Sequence, residues 1–181
     1  MAGNLSISTM LQHSRAVLTE RSVDAFNRYE AEGNLRDAML YVGLGAVLTG
    51  LFGLAQGPMF FLTNIITTVL GFVVFVIIVH WLGTRRGGTG TLDEVAYSFA
   101  LFWAPLAVLF AVATLLLVIT IVGILLVPLL GIAAIVVNIW FAYMATQASL
   151  NLQPGGQTWG VLILAGIASF FANALLAAIF A

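Results

Sequence analysis

Apolar residues in this chain form five long runs that follow a polar first segment. The runs lie near residues 37–56, 60–82, 96–119, 125–148 and 158–180. Each run is close to the roughly 20 apolar residues that a helix needs to cross a bilayer. Joints that contain Gly or Pro separate several of them, as expected between helices: AQGP at 55–58, IVGILLVP at 121–128 and NLQPGGQT at 151–158. The pattern predicts an all-α, polytopic membrane protein, with a polar head at 1–36 and a bundle of five transmembrane helices at 37–181.

The polar head contains one stretch with helical periodicity. This stretch, TERSVDAFNRYEAEGN, covers residues 19–34. Its apolar Val23, Phe26 and Tyr29 lie near one face of a helix, and Asn34 is a predicted N-cap for the first membrane helix. We expect a short amphipathic helix that lies on the membrane surface. The alternative is a solvated helix that packs on nothing.

Composition supports the membrane assignment. The 181 residues are 62% hydrophobic and 7% charged, whereas a soluble domain carries about 25% charged residues. No charged residue and no His follows Glu94, so a water-soluble surface cannot be built from the second half of the chain. Cysteine is absent, which excludes disulfides and thiolate chemistry. Net charge is near zero, so no basic patch indicates a nucleic-acid partner.

All the arginines fall on one side of the predicted bundle. Four precede the first apolar run and two lie between the second and third runs: Arg15, Arg21, Arg28, Arg36, Arg85 and Arg86. The positive-inside rule makes that side cytoplasmic. With five spans the N-terminus is then cytoplasmic and the C-terminus is outside. Candidate contacts for anionic lipid headgroups or for a partner protein are Arg21, Arg28, Arg85 and Arg86.

The joint between the second and third runs, LGTRRGGTGTLDEV, has the glycines of a phosphate-binding loop. A Walker A loop needs a Lys that reaches the outer phosphates, and this chain contains no Lys. Thr91 followed by Glu94 instead fits a capping box, and Asp93 is favourable near the positive end of a helix. The stretch therefore predicts a cytoplasmic elbow and not a nucleotide site.

Small residues recur at spacings of three and four in the first apolar run: Gly43, Ala46, Gly50, Gly53 and Gly57. In lipid such faces let helix backbones approach closely. A homo-oligomer face and packing within one bundle both explain the stripe, and the second is favoured because nearly every predicted span has one. Pro105 interrupts the third span and predicts a kink, which would act as a hinge, line a cavity or give static curvature.

Polar side chains within the predicted bundle are few and neutral: Asn64, Asn138, Gln147 and Asn173. Pumps usually place ionisable groups along their path. His80 could carry a proton or bind a metal, but an interfacial position beside Trp81 is favoured because no second His is near. His13 falls in the polar head and receives no role. We expect no catalytic residues, no metal site and no cofactor.

Three segments carry a resemblance to a known family: RSVDAFNRYEAEGNLRDAMLYVGL, GGTGTLDEVAYSFALFWAPL and PLLGIAAIVVNIWFAYMATQASLN. Their order resembles the YIP family of Rab/Ypt-interacting membrane proteins, in its prokaryotic branch. The resemblance implies a five-helix membrane domain without known catalytic residues, in a prokaryotic inner (cytoplasmic) membrane. Eukaryotic relatives act with small GTPases, but their D-L-Y-G-P signature is absent here, so GTPase binding is not expected to carry over.

These observations lead to three functional hypotheses. The first is a non-catalytic scaffold or accessory subunit, or a protein of membrane organisation, whose partners are the bilayer, anionic headgroups, and a membrane protein complex or a second copy. The alternative is a small transporter or channel for an uncharged solute or lipid, with Asn64, Asn138 and Asn173 around a polar cavity at the Pro105 kink. A membrane enzyme is the weakest, since only His80, Asp93 and Glu94 could contribute.

Overall fold

The computed structural model describes residues 5–180, and it describes the side-chain surroundings of all of these except 53, 55, 56, 121, 122 and 176–180. Within this range the chain is helical and contains no strand, which confirms the all-α prediction. The helices are α1 (Ile7–Glu20), α2 (Val23–Tyr29), α3 (Leu35–Gly50), α4 (Pro58–Arg85), α5 (Leu92–Val118), α6 (Ile121–Leu150) and α7 (Gly156–Phe180), with a 3-10 segment at Leu51–Gln56 between α3 and α4.

Four helices among the described residues, α4 to α7, are long and apolar enough to cross a membrane. Their lengths and hydropathy identify the chain as a membrane protein. Helix α3 has 16 residues before the backbone tightens into the 3-10 segment. By itself α3 is shorter than the roughly 20 residues that a span needs, so the predicted count of five spans is not confirmed.

The predicted joint at 121–128 is wrong. Helix α6 begins at Ile121, and Thr120 caps it by accepting a hydrogen bond from Gly123 N at 2.9 Å. Pro128 lies inside α6, as membrane helices tolerate when neighbouring groups satisfy the freed backbone. The residues on both sides of this turn are apolar, so the capping Thr120 was the one local signal for its position.

Two other helices begin at the caps that the sequence predicted. Thr91 and Glu94 form the predicted capping box, with Thr91 N donating to Glu94 Oε2 at 2.6 Å and Glu94 N donating to Thr91 Oγ1 at 3.2 Å. Asn34 caps α3 by accepting from Asp37 N at 3.0 Å. Pro105 lies within α5, which continues as a helix to Val118.

The head is not one helix over 19–34 but two helices that pack on the bundle. Arg21 has a left-handed φ of 50° and ends α1, and Ser22 caps α2. Helix α1 packs against α5, and α2 packs against α6. Phe26 is fully buried and meets the ring of Phe102 edge to face at 6.2 Å. The alternative of a helix that packs on nothing is therefore wrong.

The most extensive contacts in the bundle are between α3 and α5, between α5 and α6 and between α4 and α7. Two glycines of α3 allow neighbouring helices to approach closely. A Cβ added at Gly45 would lie 3.4 Å from Ala104 of α5, and one added at Gly50 would lie 3.1 Å from the ring of Phe61 of α4. Such distances leave little room for a side chain. Close approach within one bundle, and not a free oligomer face, thus accounts for these two glycines.

The predicted stripe extends only to the end of α3. A Cβ added at Gly43 would lie 3.9 Å from Val69 of α4, and Ala46 is buried. Gly57 is not part of the stripe: it precedes α4 with a φ of 113°, and a Cβ there would meet nothing within 4 Å. Gly53 lies in the 3-10 segment, and its surroundings fall outside the described residues. The helix ends at Gly50, so the spacing of 3.6 residues per turn no longer applies beyond it.

Candidate functional site

One end of the bundle, termed the charged end, comprises residues 7–38, which contain α1, α2 and the first turn of α3, together with the last turn of α4, the loop 86–91 and the first turn of α5. Every Asp, Glu and Arg of the sequence belongs to these segments. The side chains of all the arginines are exposed: Arg15, Arg21, Arg28, Arg36, Arg85 and Arg86. The carboxyls are less uniform, since Asp37 is buried and Glu30 and Glu94 are partly buried. The outward-facing charge of this end is therefore biased towards positive.

His13 belongs to a buried polar cluster, although the sequence had given it no role. Its Nδ1 lies 2.8 Å from the hydroxyl of Tyr97 in α5, and its ring stacks on Tyr29 at 4.2 Å. Its Nε2 is 3.4 Å from a carboxylate oxygen of Glu32. Burial lowers the pKa of His13, while the charge of Glu32 acts in the opposite direction. A second hydrogen bond at this depth joins Ser14 to Tyr41 at 3.0 Å. These contacts fix α1 on the bundle.

Carboxyl groups connect the segments of the charged end. Asp93 accepts a hydrogen bond from Leu35 N at 2.8 Å, so it caps α3 as well as standing in the first turn of α5. One oxygen of Glu30 is buried without a hydrogen-bond partner among the described residues. Burial raises the pKa of Glu30 to about 7, with a smaller contribution from Glu94. Sequence spacing could suggest the α5 cap but not the contact with α3.

The four arginines proposed as lipid or partner contacts are each held by a different neighbour. Arg85 lies over the ring of Trp81 at 4.0 Å, in cation–π geometry. The guanidinium of Arg86 packs against Gly160 of α7. Arg28 pairs with Glu20, and Arg21 Nε donates to Leu18 O at 3.3 Å. These anchors leave the side chains exposed, so each can still meet a headgroup or a partner's carboxylate.

The loop that follows Arg86 is fastened to the other loop at the charged end. Gly87 has a φ of 91° and turns the chain. Thr89 N donates to Leu150 O at 3.1 Å, and Asn151 Nδ2 donates to Thr89 Oγ1 at 3.1 Å. A phosphate-binding loop presents free N–H groups to its ligand, whereas those of Thr89 and Thr91 are bonded within the protein. The geometry therefore favours a turn between α4 and α5 over a phosphate-binding loop.

The structure gives His80, Asp93 and Glu94 different surroundings. His80 is half-buried near the end of α4, next to the exposed Trp81. Among the described residues no group of three or more His, Asp or Glu could hold a metal ion. Asp93 and Glu94 are occupied by helix caps.

A cavity of about 710 Å³ lies between α4, α5, α6 and α7. Aromatic side chains form much of its wall: Phe72, Phe75, Phe99, Phe102, Trp103 and Trp159. Of the polar residues proposed for the bundle interior, Asn138 and Asn173 line this cavity, while Asn64, Gln147 and the helix-kink residue Pro105 do not. Gln147 is buried elsewhere, and its Nε2 has no partner among the described residues.

The polar part of the cavity wall includes a residue that the sequence suggested only as part of a small-residue packing face. Ser169 is 7% exposed, and its Oγ has no hydrogen-bond partner in the described part of the chain. Asn173 stands one turn further along α7 and donates from Nδ2 to Ser169 O at 2.8 Å. Asn138 bonds to its own helix in the same way, at Ala134 O. The spacing of four between Ser169 and Asn173 was the available signal, because it places both on one helix face.

Most of the cavity wall is apolar, so the cavity does not form the continuous polar path that a transporter of polar solutes needs. Fold and geometry together define a helical membrane protein with a charged end and an intramembrane cavity. No family model, curated protein or solved structure matches this chain. The resemblance to the YIP family stays a prediction that rests on its sequence motifs.

Proposed function

We propose that this protein is a non-catalytic membrane scaffold or accessory subunit whose charged end binds anionic lipid headgroups and the acidic surface of a membrane protein partner. The observation that carries the proposal is the unequal exposure of its charges. All six arginines are exposed, whereas only four of the seven carboxyls are, since Asp37 is buried and Glu30 and Glu94 are partly buried. Outward positive charge next to a membrane attracts anionic headgroups.

The folded head supports this function because it makes the charged end a fixed surface. Helices α1 and α2 are fastened to α5 and α6 by buried residues such as Phe26 and by the hydrogen bond between His13 and Tyr97. A surface that is ordered before binding loses less conformational entropy when a partner docks. Ile7 and Leu11 are exposed on α1, and in this proposal they enter the boundary between headgroups and acyl chains.

The proposal includes a fifth span built from α3 and the 3-10 segment together. Their 16 and 6 residues would extend roughly 24 Å and roughly 12 Å, enough for a hydrocarbon core of about 30 Å. A row of exposed apolar side chains would face lipid: Leu40, Leu44, Val47, Leu48 and Leu51. The charged end is then cytoplasmic, with the N-terminus inside and the C-terminus outside. The likeness to prokaryotic YIP proteins, without GTPase binding, supports the same arrangement.

The test compares the wild-type protein with the double variant Arg85→Gln, Arg86→Gln. Each Arg near an anionic surface contributes about 1 kcal/mol, so we expect this variant to retain roughly 10- to 30-fold less phosphatidylglycerol than the wild type. Bound lipid is counted by native mass spectrometry after titration with phosphatidylglycerol or with phosphatidylcholine. A stoichiometric protein partner, isolated from native membranes in mild detergent, should be lost in the same variant.

The matched control is Arg85→Lys, Arg86→Lys, which keeps both charges and should bind phosphatidylglycerol within a few-fold of the wild type. A similar loss in the Lys and Gln variants would mean that the contacts of Arg85 and Arg86 within the protein matter, and not their charge. Equal binding of the anionic and the zwitterionic lipid, together with no stoichiometric partner, contradicts the proposal.

A further inference from the structure

We infer that the cavity between α4, α5, α6 and α7 binds a neutral, mostly hydrocarbon lipid that carries a hydroxyl or carbonyl group. Its polar group would bond to Ser169 and Asn173 while its chain lies among the aromatic rings. The volume of about 710 Å³ falls in the range of roughly 300–1,000 Å³ found for small-molecule sites. The inference is independent of lipid binding at the charged end.

Ser169 is the residue that indicates a ligand. Its side chain is more than nine-tenths buried, lines the cavity, and has an Oγ with no partner among the described residues. A buried hydroxyl without a hydrogen bond costs free energy, and native proteins rarely leave one so. A serine in a helix can satisfy itself on the carbonyl one turn back, as Ser149 does on Ala145 O at 2.7 Å. Ser169 lacks this bond, and its Oγ is closed off as the structure stands. A change of χ1 rotamer would turn the hydroxyl into the cavity that the residue lines, where a ligand group can reach it.

The neighbouring amides give the site both donors and acceptors. Asn138 and Asn173 each use one N–H on their own helix, which leaves a carbonyl oxygen and a second N–H on each side chain. Asn173 Oδ1 is placed against α4 at Gly71, where an added Cβ would lie 2.6 Å away. The small residue in α4 therefore lets the amide stand between the two helices. A hydroxyl or a carbonyl on the ligand matches this set.

Charge and depth narrow the class of ligand. None of the described residues that line the cavity is ionisable, so an ionic headgroup would be desolvated there without a counter-charge. Ser169 lies roughly 20 Å from the start of α7 at Gly156 and roughly 17 Å from its end at Phe180, at 1.5 Å per residue. That depth is near the middle of a hydrocarbon core of about 30 Å, which the headgroup of a phospholipid does not reach. A neutral lipid that dissolves within the bilayer does.

The structure offers a variant that fills the cavity and a matched control. Gly166 lines the cavity, and a Cβ there would meet nothing within 4 Å, so Gly166→Leu should occupy the ligand space without a clash. Gly131 of α6 also has open space around it, is exposed, and does not line the cavity. Gly131→Leu makes the same chemical change on a different surface. Ser169→Ala removes the hydroxyl and keeps the volume nearly constant.

The experiment uses photocrosslinking with a monoacylglycerol that carries a diazirine and an alkyne in its chain. The charge control is the fatty acid with the same tagged chain, at a pH where its carboxylate is ionised. Purified protein in neutral detergent is titrated with each probe, irradiated and digested, and labelled peptides are mapped by mass spectrometry. Thermal melting of every variant confirms that the protein compared is folded.

We expect saturable labelling of α4 and α7 by the monoacylglycerol and at least fivefold weaker labelling by the fatty acid. Gly166→Leu should reduce labelling of these helices at least fivefold, while Gly131→Leu should match the wild type. Ser169→Ala should raise the half-saturating concentration roughly fivefold, the effect of one lost hydrogen bond. Labelling that does not saturate, that is equal for the two probes, or that survives both Gly166→Leu and Ser169→Ala overturns the inference.

Discussion

At the charged end, Glu30 and His13 have pKa values that differ from those of free side chains, because the fold partly buries both residues. Burial raises the pKa of Glu30 to about 7, and the neighbouring Glu94 adds to the effect. Burial lowers the pKa of His13, and Glu32 partly opposes this. Both shifts favour the neutral form of the side chain. Folding therefore couples to pH through these two groups in opposite directions.

We expect Glu30→Gln to stabilise the protein at pH values above about 7. The folded state holds the Glu30 proton more tightly than the unfolded state does, so wild-type stability falls as pH rises from about 4.5 to about 7. Glutamine removes this dependence, and the melting temperatures of variant and wild type should converge towards about pH 4. His13, whose folded pKa is lowered, still makes stability fall as pH decreases below its ordinary value.

Thermal unfolding in detergent across this pH range provides the measurement. The control is Asp24→Asn, which removes the charge of an exposed carboxyl in α2. A difference between wild type and Glu30→Gln that stays constant with pH would show that the buried carboxyl does not titrate as described.

Helices of this bundle approach one another through residues without large side chains. Helix α3 meets α5 at Gly45 and α4 at Gly50, with Phe61 filling the space beside the second glycine. Between membrane helices, close packing and interhelical hydrogen bonds replace the hydrophobic effect as the source of association. The position of α3 therefore depends on the space that the absence of a side chain at Gly45 and Gly50 leaves for α5 and α4.

The variant Gly50→Leu should lower the stability of the bundle. A Cβ at this position would already lie 3.1 and 3.2 Å from the ring of Phe61, so a larger side chain must push α3 away from α4. Overpacking of this kind typically costs about 1–3 kcal/mol. Melting in detergent should show a lower transition temperature for Gly50→Leu and an unchanged one for Gly131→Leu, where space is open. Equal melting of the two variants would mean that α4 moves aside at no cost.

At the scale of the whole molecule, the charged residues lie at one end of the long apolar helices. Helices α4, α5, α6 and α7 alternate in direction along the chain, so the ends of α4 and α6 and the starts of α5 and α7 lie together at the charged end. The opposite end has uncharged turns at 51–57 and 119–120. Such asymmetry sets orientation during membrane insertion.

Reporter fusions should place the two ends of the bundle on opposite sides of the membrane. A reporter inserted near Gly88 should report the cytoplasmic side, because Arg85 and Arg86 precede it. A reporter fused after Ala181 should report the outside, if α3 and the 3-10 segment complete a fifth span. A cytoplasmic C-terminus would contradict the odd number of spans and leave α3 at the membrane surface.

Apolar runs alone were enough to locate the four long helices within a few residues, because a membrane helix needs a local property, about 20 consecutive apolar residues. Caps were equally readable: Asn34, Thr91 and Glu94 act on neighbours three residues away. The turn at Ile119 and Thr120 was misplaced since an apolar joint changes neither composition nor periodicity. The sequence also identified two of the cavity residues, Asn138 and Asn173, as polar groups among apolar ones.

Two features appear only in the tertiary structure: the docking of the head and the cavity. Both depend on contacts between distant parts of the chain. His13 meets Tyr97 across 84 positions, and Asp93 meets Leu35 across 58; no local pattern marks either pair. The cavity arises where α4, α5, α6 and α7 leave space between them, and the same packing buries Ser169 in the wall of that space. Hydropathy and capping act within one helix and are written in adjacent residues. Docking of the head and the shape of the cavity follow from how whole helices pack, which adjacent residues do not encode.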